Sequence, residues 1–401
     1  MKHSRSLDGV RGLAIIWVLS YHCFWLPPKA ALLANIPLLP RLASFGWAGV
    51  QLFFLLSGYL IAKGLIRSNQ EAYGLGQFWC RRLFRIVPPY ALLLVTYFVA
   101  RAAMASFPGV NKQWFSASIP WWSYLLFIQN LYMASAGNLG GAWLCVTWSL
   151  AVEMQFYLFI SLFLRIISIR KFRSWVLFLI LCSTLFRYFI FFLQRSPQTA
   201  LVVLLPSDLN GFLFGAFLAS LDDDSQRPRC FARCAGLLGL LIVAFSVAFV
   251  LMLGSGGFGR ASLVGAPLCD SVISLGCLGL LILATETSLT WPKRIFEFEP
   301  LVVSGHLSYF LYLFHLPVSI FLFSTILGQE PNLVSVPALS VMLLTLVVVY
   351  GLATLSLIYL ERPLIAFSKT CFQRPAMAAS TAAPSVATRR SSGKPDGVSN
   401  P

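Results

Sequence analysis

Residues 6–22 read SLDGVRGLAIIWVLSYH, an apolar run that carries Asp8, Arg11 and His22. At 100° per residue, eleven steps return His22 to within about 20° of Arg11, with Asp8 about 40° from His22. The three ionisable groups therefore share one stripe of an otherwise apolar helix. At 1.5 Å rise per residue, Arg11 and His22 lie roughly 16–17 Å apart along the axis. Ionisable groups inside an apolar span are costly and point to function. If the run crosses a bilayer, Arg11 sits at one boundary and His22 about halfway across a core roughly 30 Å thick.

The rest of the chain agrees with a bilayer as its solvent. Of its 401 residues 58% are hydrophobic and only 11% charged, whereas a soluble domain has about 45–50% and about 25%. Disorder is excluded because 14% of the residues are aromatic. The chain reads as an all-α polytopic membrane protein with about ten spans, near 8–26, 46–65, 86–104, 143–164, 174–193, 205–221, 235–254, 264–284, 304–324 and 336–360. The stretch Trp121 to Met133 is too short to cross and reads as re-entrant or interfacial. The first run lacks a small-residue cleavage site and reads as a retained helix. The nine cysteines show no paired spacing that predicts disulfides or a zinc site.

The formal charge of +16 would suggest nucleic acid in a soluble protein. Sorted by loop it becomes an orientation signal instead. With the N-terminus inside, the inner segments collect most of the basic residues, among them Arg5, Lys63, Arg81, Arg170, Arg229 and Lys293. The outer ones hold Lys29, Arg41, Arg101, Lys112, Arg195 and Arg260. Both termini are therefore expected in the cytoplasm, and no nucleic-acid partner is needed. The membrane domain is expected over 1–367. Residues 368–401, rich in Ser, Ala, Pro and Gly, are expected to form a disordered cytoplasmic tail too short for a second catalytic domain.

Within the spans, the segment from Phe78 to Tyr90 places Arg82 and Arg85 about one turn apart, a spacing suited to gripping phosphate oxygens. Arg81 reads as a topology anchor. Glu153, in the run from Thr147 to Tyr157, must pair, protonate or face water. Arg187 with Asp208 or Asp270 reads as a structural ion pair between helices, and Gly46, Gly49, Ser57 and Gly58 as close helix packing. His22 has two readings: a structural histidine bonded to a neighbouring helix, or a general base that activates a hydroxyl.

Taken together these segments resemble integral-membrane acyltransferase family 3, the bacterial surface-polysaccharide O-acetylases, over roughly residues 5–365. The matching motifs are Arg11-x10-His22, Gln51 to Tyr59, Arg82-x-x-Arg85 with Pro89-Tyr90, Trp148 to Tyr157, Ser308 to Pro317, and Glu361-Arg362-Pro363. Gln51 stands where members often have Asp, Met154 where a second acidic residue is common, and His306 where a basic or polar residue is frequent. The resemblance implies transfer of an acyl group, usually acetyl, from cytoplasmic acyl-CoA to a hydroxyl of a carbohydrate or glycolipid. The polyanionic donor then falls to Arg11, Arg82 and Arg85, and the acceptor's proton to His22. Glu153 or Asp8 would orient the imidazole or carry the proton onward; no metal is required, and an acyl-histidine relay stays open. Two outer loops, 27–45 and 105–142, are placed to meet the acceptor, the second through Trp114, Trp121, Trp122, Tyr124 and Tyr132 or as an interfacial aromatic belt. The competing reading is a transporter of a lipid-linked sugar or small metabolite. Against it stand the inner-face Arg pair and the lack of paired broken helices in corresponding halves.

Overall fold

A computed structural model describes residues 4–27, 43–68, 74–104, 112–115, 118–193, 197–222, 229–255, 265–286 and 289–370. Helix α1 (Arg5–Ser20) widens into a π-turn at Tyr21–Trp25. There follow α2 (Ala48–Ser68), α3 (Gly74–Met104), and the short pair α4 (Trp121–Leu125) and α5 (Gln129–Ala136). Next come α6 (Trp148–Ile166), α7 (Ile169–Leu193), α8 (Pro197–Val203), α9 (Leu205–Asp222), α10 (Arg229–Ser255) and α11 (Gly265–Thr285). The chain continues through α12 (Thr290–Phe296), α13 (Glu299–Leu322), α14 (Val336–Ser356) and α15 (Arg362–Thr370), with a π-turn at Leu357–Glu361.

Each expected span lies on a long helix, and among the described residues eight helices are long and apolar enough to cross a membrane. Two fall outside that set. Helix α1 has only 16 residues and carries Asp8 and Arg11, and the described side chains of α10 give an apolar stretch of Cys234–Phe249. Several boundaries shift outward, among them α3, which begins at Gly74 rather than near 86, and α13, at Glu299 rather than near 304. Both extensions carry polar or charged side chains that a hydropathy reading trims away. Helix α15 runs to Thr370, and the tail beyond it lies outside the described residues, as does most of the 27–45 loop.

The layering follows from which helices hide their side chains. In α2, 67% of the most apolar window is buried, with Leu52, Leu55 and Ile61 fully enclosed, so this helix is central. In α7 only 22% is buried, and Leu177, Phe178, Leu181, Leu185 and Phe189 point outward. An apolar face of that extent suits lipid rather than water.

Close helix pairing depends on glycine. A Cβ on Gly12 would lie 1.8 Å from the carbonyl oxygen of Leu301, and one on Gly305 would lie 1.9 Å from that of Asp8. Helices α1 and α13 therefore pack backbone against backbone. Gly58 and Gly215 do the same for α2 and α9, at 2.0 Å each. The packing role expected of Gly49 and Gly58 is thus visible. These contacts hold α1, α2 and α13 around one space.

The segment from Trp121 onward breaks at Phe127, whose φ of 55° is a left-handed conformation that bulky residues seldom adopt. Gln155 Nε2 on α6 donates to the Phe127 carbonyl at 2.9 Å and to Asn130 Oδ1 at 2.8 Å. Asn130 Nδ2 in turn donates to the Val203 carbonyl at 2.9 Å. This network satisfies the backbone groups that the break exposes.

Candidate active site

Five helices border a cleft of about 840 Å³, its open mouth included. Arg11 enters from α1, Phe53 and Ser57 from α2, and Arg82, Arg85 and Ile86 from α3. Ser149, Glu153 and Tyr157 come from α6, and Ser308, Tyr309 and Tyr312 from α13. Four of the residues singled out in the sequence, Arg11, Arg82, Arg85 and Glu153, thus share one space.

The arginines converge at the end where α1 and α13 begin. Arg11 donates to Asp8 Oδ1 at 3.1 Å, and Asp8 is also 3.4 Å from His306 Nε2. The Arg82 guanidinium lies over the rings of Phe78 and Tyr157, 5.7 Å from each centroid, a cation–π geometry. Among the described residues neither Arg82 nor Arg85 forms a salt bridge. Two guanidinium groups at a cleft wall with no salt bridge to a carboxylate are suited to phosphate oxygens.

Pro88 and Pro89 follow Arg85 within α3. They lack N–H groups, so two helix hydrogen bonds are missing there. Tyr309 Oη from α13 donates to the neighbouring Ile86 carbonyl at 2.8 Å, which fixes α3 against α13 where Arg85 enters the cleft. Glu153 is held by Ser57 Oγ, expected only to allow close helix packing but found on the cleft wall, and by Tyr157 Oη; both donate to its Oε1. Its hydrogen bonds, like those of Asp8, are therefore made with groups other than His22.

His22 lies past the other end of this space and does not line it. Its Nδ1 donates to the Val18 carbonyl at 2.9 Å, and its ring meets the ring of His315 at a centroid distance of 4.8 Å. Tyr312 connects the pair to the cleft: it lines the cleft wall, and its ring is 6.2 Å from that of His315. Tyr312 Oη is in turn 2.6 Å from Ser149 Oγ. The path from arginines to imidazoles thus runs along the Tyr309, Tyr312 and His315 stripe of α13. Its three-residue spacing was the available signal, since such residues stack on one helix face.

Other expected residues serve elsewhere. Arg187 is 1% exposed and donates to Asp270 and to the carbonyls of Pro267, Leu201 and Ser207. It is a structural ion pair with Asp270. Asp208 instead accepts from Gln51 Nε2 at 3.0 Å. Of the loop aromatics, Trp114 and Tyr124 are buried, whereas Trp121 and Trp122 are 60% and 40% exposed. Tyr132 is half-buried, its ring edge-on to that of Trp122, and the two tryptophans are the most exposed of the set.

A model of the acyltransferase domain matches residues 4–360. The chain belongs to acyltransferase family 3. Among curated proteins it is similar to the peptidoglycan O-acetyltransferase OatA of Listeria monocytogenes, 26% identical over 366 residues, which is 83% of this chain and 52% of that one. The O-acetyltransferase OatA of Staphylococcus aureus is 24% identical over 359 residues, covering 81% and 52%. The chain spans about half the length of the curated relatives it matches. No solved structure matches it. With its family domain and its apolar helices, it is a multi-pass membrane protein of the kind found in these bacteria.

Proposed function

We propose that this family member transfers an acyl group, acetyl in the first instance, from cytoplasmic acyl-CoA to a hydroxyl of a carbohydrate or glycolipid. One arrangement carries the reading: Arg11, Arg82 and Arg85 meet at one end of a cleft whose other end leads past Tyr312 to His22. The names of the bacterial relatives, which are O-acetyltransferases, support it and favour acyl transfer over a carrier. The setting proposed is the inner membrane, with ten crossings and both termini inside.

In this mechanism Arg82 and Arg85 grip the donor's phosphates, and Arg11, held by Asp8, adds a third positive charge. Glu153 sets the potential between the arginines and fixes Ser57 and Tyr157. The thioester reaches along the cleft toward His22. Because Nδ1 of His22 donates to the Val18 carbonyl, Nε2 carries the lone pair. That nitrogen takes the acceptor's proton as its oxygen attacks the thioester carbon. The C–S bond then breaks, and the proton ends on the thiol of CoA. Trp121 and Trp122 offer faces on which sugar rings stack.

The test is acetyl transfer by the purified protein in detergent, with labelled acetyl-CoA and glycan fragments as acceptors. Wild-type protein should release CoA and label the glycan, and His22→Ala should do neither while inserting normally. Substantial turnover by His22→Ala would overturn the general-base assignment. Comparing surface glycans of a deletion strain and its parent by mass spectrometry identifies the acceptor.

A further inference from the structure

His22 and His315 are two of only four histidines in the chain, on different helices and in ring contact, 4.8 Å between centroids with planes at 62°. Each uses Nδ1 in the same way. His22 Nδ1 is 2.9 Å from the carbonyl of Val18, and His315 Nδ1 is 3.0 Å from that of Leu311, four residues back in both cases. A carbonyl only accepts, so each neutral ring carries its proton on Nδ1 and leaves Nε2 as a bare acceptor. His315 Nε2 is buried and has no hydrogen-bond partner. The residue is 1% exposed. An unsatisfied acceptor at such depth is unfavourable and calls for a reason.

We propose that His315 is a positioning residue for the transfer, holding through its Nε2 the proton that His22 takes from the acceptor. This rests on the reading of His22 as general base. Burial divides the two roles. His22 is only partly buried and is the imidazole that meets substrate; His315 meets His22 instead. When the acceptor oxygen bonds to the thioester carbon, its proton passes to His22 Nε2, and the imidazolium shares it with His315 Nε2. As the C–S bond breaks, the proton goes from the pair to the departing sulfur. Ester, free thiol and two neutral imidazoles result.

The surroundings make this second acceptor useful. Ring contacts to the pair come from Tyr21, 5.3 Å from His22, and Tyr312, 6.2 Å from His315. Asp8 bonds to Arg11, and Glu153 to Ser57 and Tyr157. A neutral acceptor spreads the transient positive charge without placing a permanent carboxylate in an apolar site, where an uncompensated charge is costly.

His315→Asn separates this role from a structural one, because an asparagine amide can still donate to the Leu311 carbonyl while Nε2 is deleted. The expected result is a fall in kcat of about tenfold to a hundredfold with KM for acetyl-CoA nearly unchanged. A kcat near wild type, or a loss of kcat matched by a proportional rise in KM, overturns the proposal. Should His22→Ala be inactive and His315→Asn behave as wild type, the relay alone fails. Turnover by His22→Ala would instead remove the general-base reading. If His315→Asn does not fold, 15N NMR of histidine-labelled wild-type protein decides: a His315 ring protonated on Nε2 rather than Nδ1 at neutral pH overturns the proposal.

Discussion

Ser149 Oγ and Tyr312 Oη lie 2.6 Å apart, a hydrogen bond that ties α6 to α13 at the far end of the cleft from the arginines. Tyr312 Oη also donates to the Val146 carbonyl at 3.1 Å, so its ring is held between the cleft and the imidazole pair. In the proposed mechanism the donor's thioester must pass this ring, which also keeps water from it. Removing the hydroxyl and removing the ring should therefore have different effects.

Tyr312→Phe should keep the barrier and weaken only its fixing, lowering stability by about 1 kcal/mol. Tyr312→Ala should open the passage and raise acetyl-CoA hydrolysis without acceptor, relative to transfer with it. Measuring CoA release with and without glycan gives the ratio. An unchanged ratio in Tyr312→Ala would mean that Tyr312 is not the barrier.

The paired arginines make a claim about salt. Arg82→Gln and Arg85→Gln should each weaken acetyl-CoA binding about tenfold, the loss expected for charge-assisted hydrogen bonds. The difference from wild type should be largest at low ionic strength, where charges are least screened. Titration of the detergent-solubilised protein at two salt concentrations measures both. Wild-type affinity in the double variant would return these residues to a topological role.

Glu153 accepts from two donors at one oxygen. Glu153→Gln keeps an acceptor there but removes a negative charge beside Arg82 and its Tyr157 partner. The expected outcome is near-normal thermal stability with acetyl-CoA bound at least as tightly as in the wild type. Glu153→Ala leaves two hydroxyls without their acceptor and should lose about 1–3 kcal/mol. Equal melting temperatures for the two variants would show that these bonds contribute little.

Much of this site was legible because charge is conspicuous in an apolar helix. Arg11, His22, Arg82, Arg85 and Glu153 each stood out against a membrane background. The neutral lining did not: Ser57, Ser149, Tyr309 and Tyr312 have the same composition whether they face a cleft or a neighbouring helix. Arg11 and His22 belong to one helical run, yet only Arg11 lines the cleft; His22, in the π-turn Tyr21–Trp25, meets His315 beyond it. The partner of His22 could not be read from spacing, since His315 lies on α13 and reaches it only through the tertiary packing of α1 against that helix.

Arg187 tests whether a buried charge serves structure alone. Its guanidinium donates to Asp270 and to three carbonyls from separate segments. Arg187→Ala would leave Asp270 without its counter-ion and should lose about 3–5 kcal/mol. A matched replacement of both partners by apolar residues should recover most of that. Thermal unfolding in detergent compares the variants. If the double variant were as unstable as Arg187→Ala, the carbonyl contacts rather than the ion pair would be the main contribution.

The backbone contact between α1 and α13 gives a prediction with an internal control. A Cβ added at Gly305 would come within 1.9 Å of the Asp8 carbonyl oxygen, and neither backbone can yield without moving α1 or α13. Gly305→Ala should therefore shift Asp8 and Arg11 together, reducing both stability and acetyl-CoA binding. Overpacking of this kind is typically worth about 1–3 kcal/mol and occasionally more. Gly351, exposed on α14, has nothing within 4 Å of the same added atom. Gly351→Ala should leave donor binding intact and stabilise the helix by roughly 0.5–1 kcal/mol. Were the two alanine variants to melt at the same temperature, the backbone contact between α1 and α13 could not be what positions Arg11.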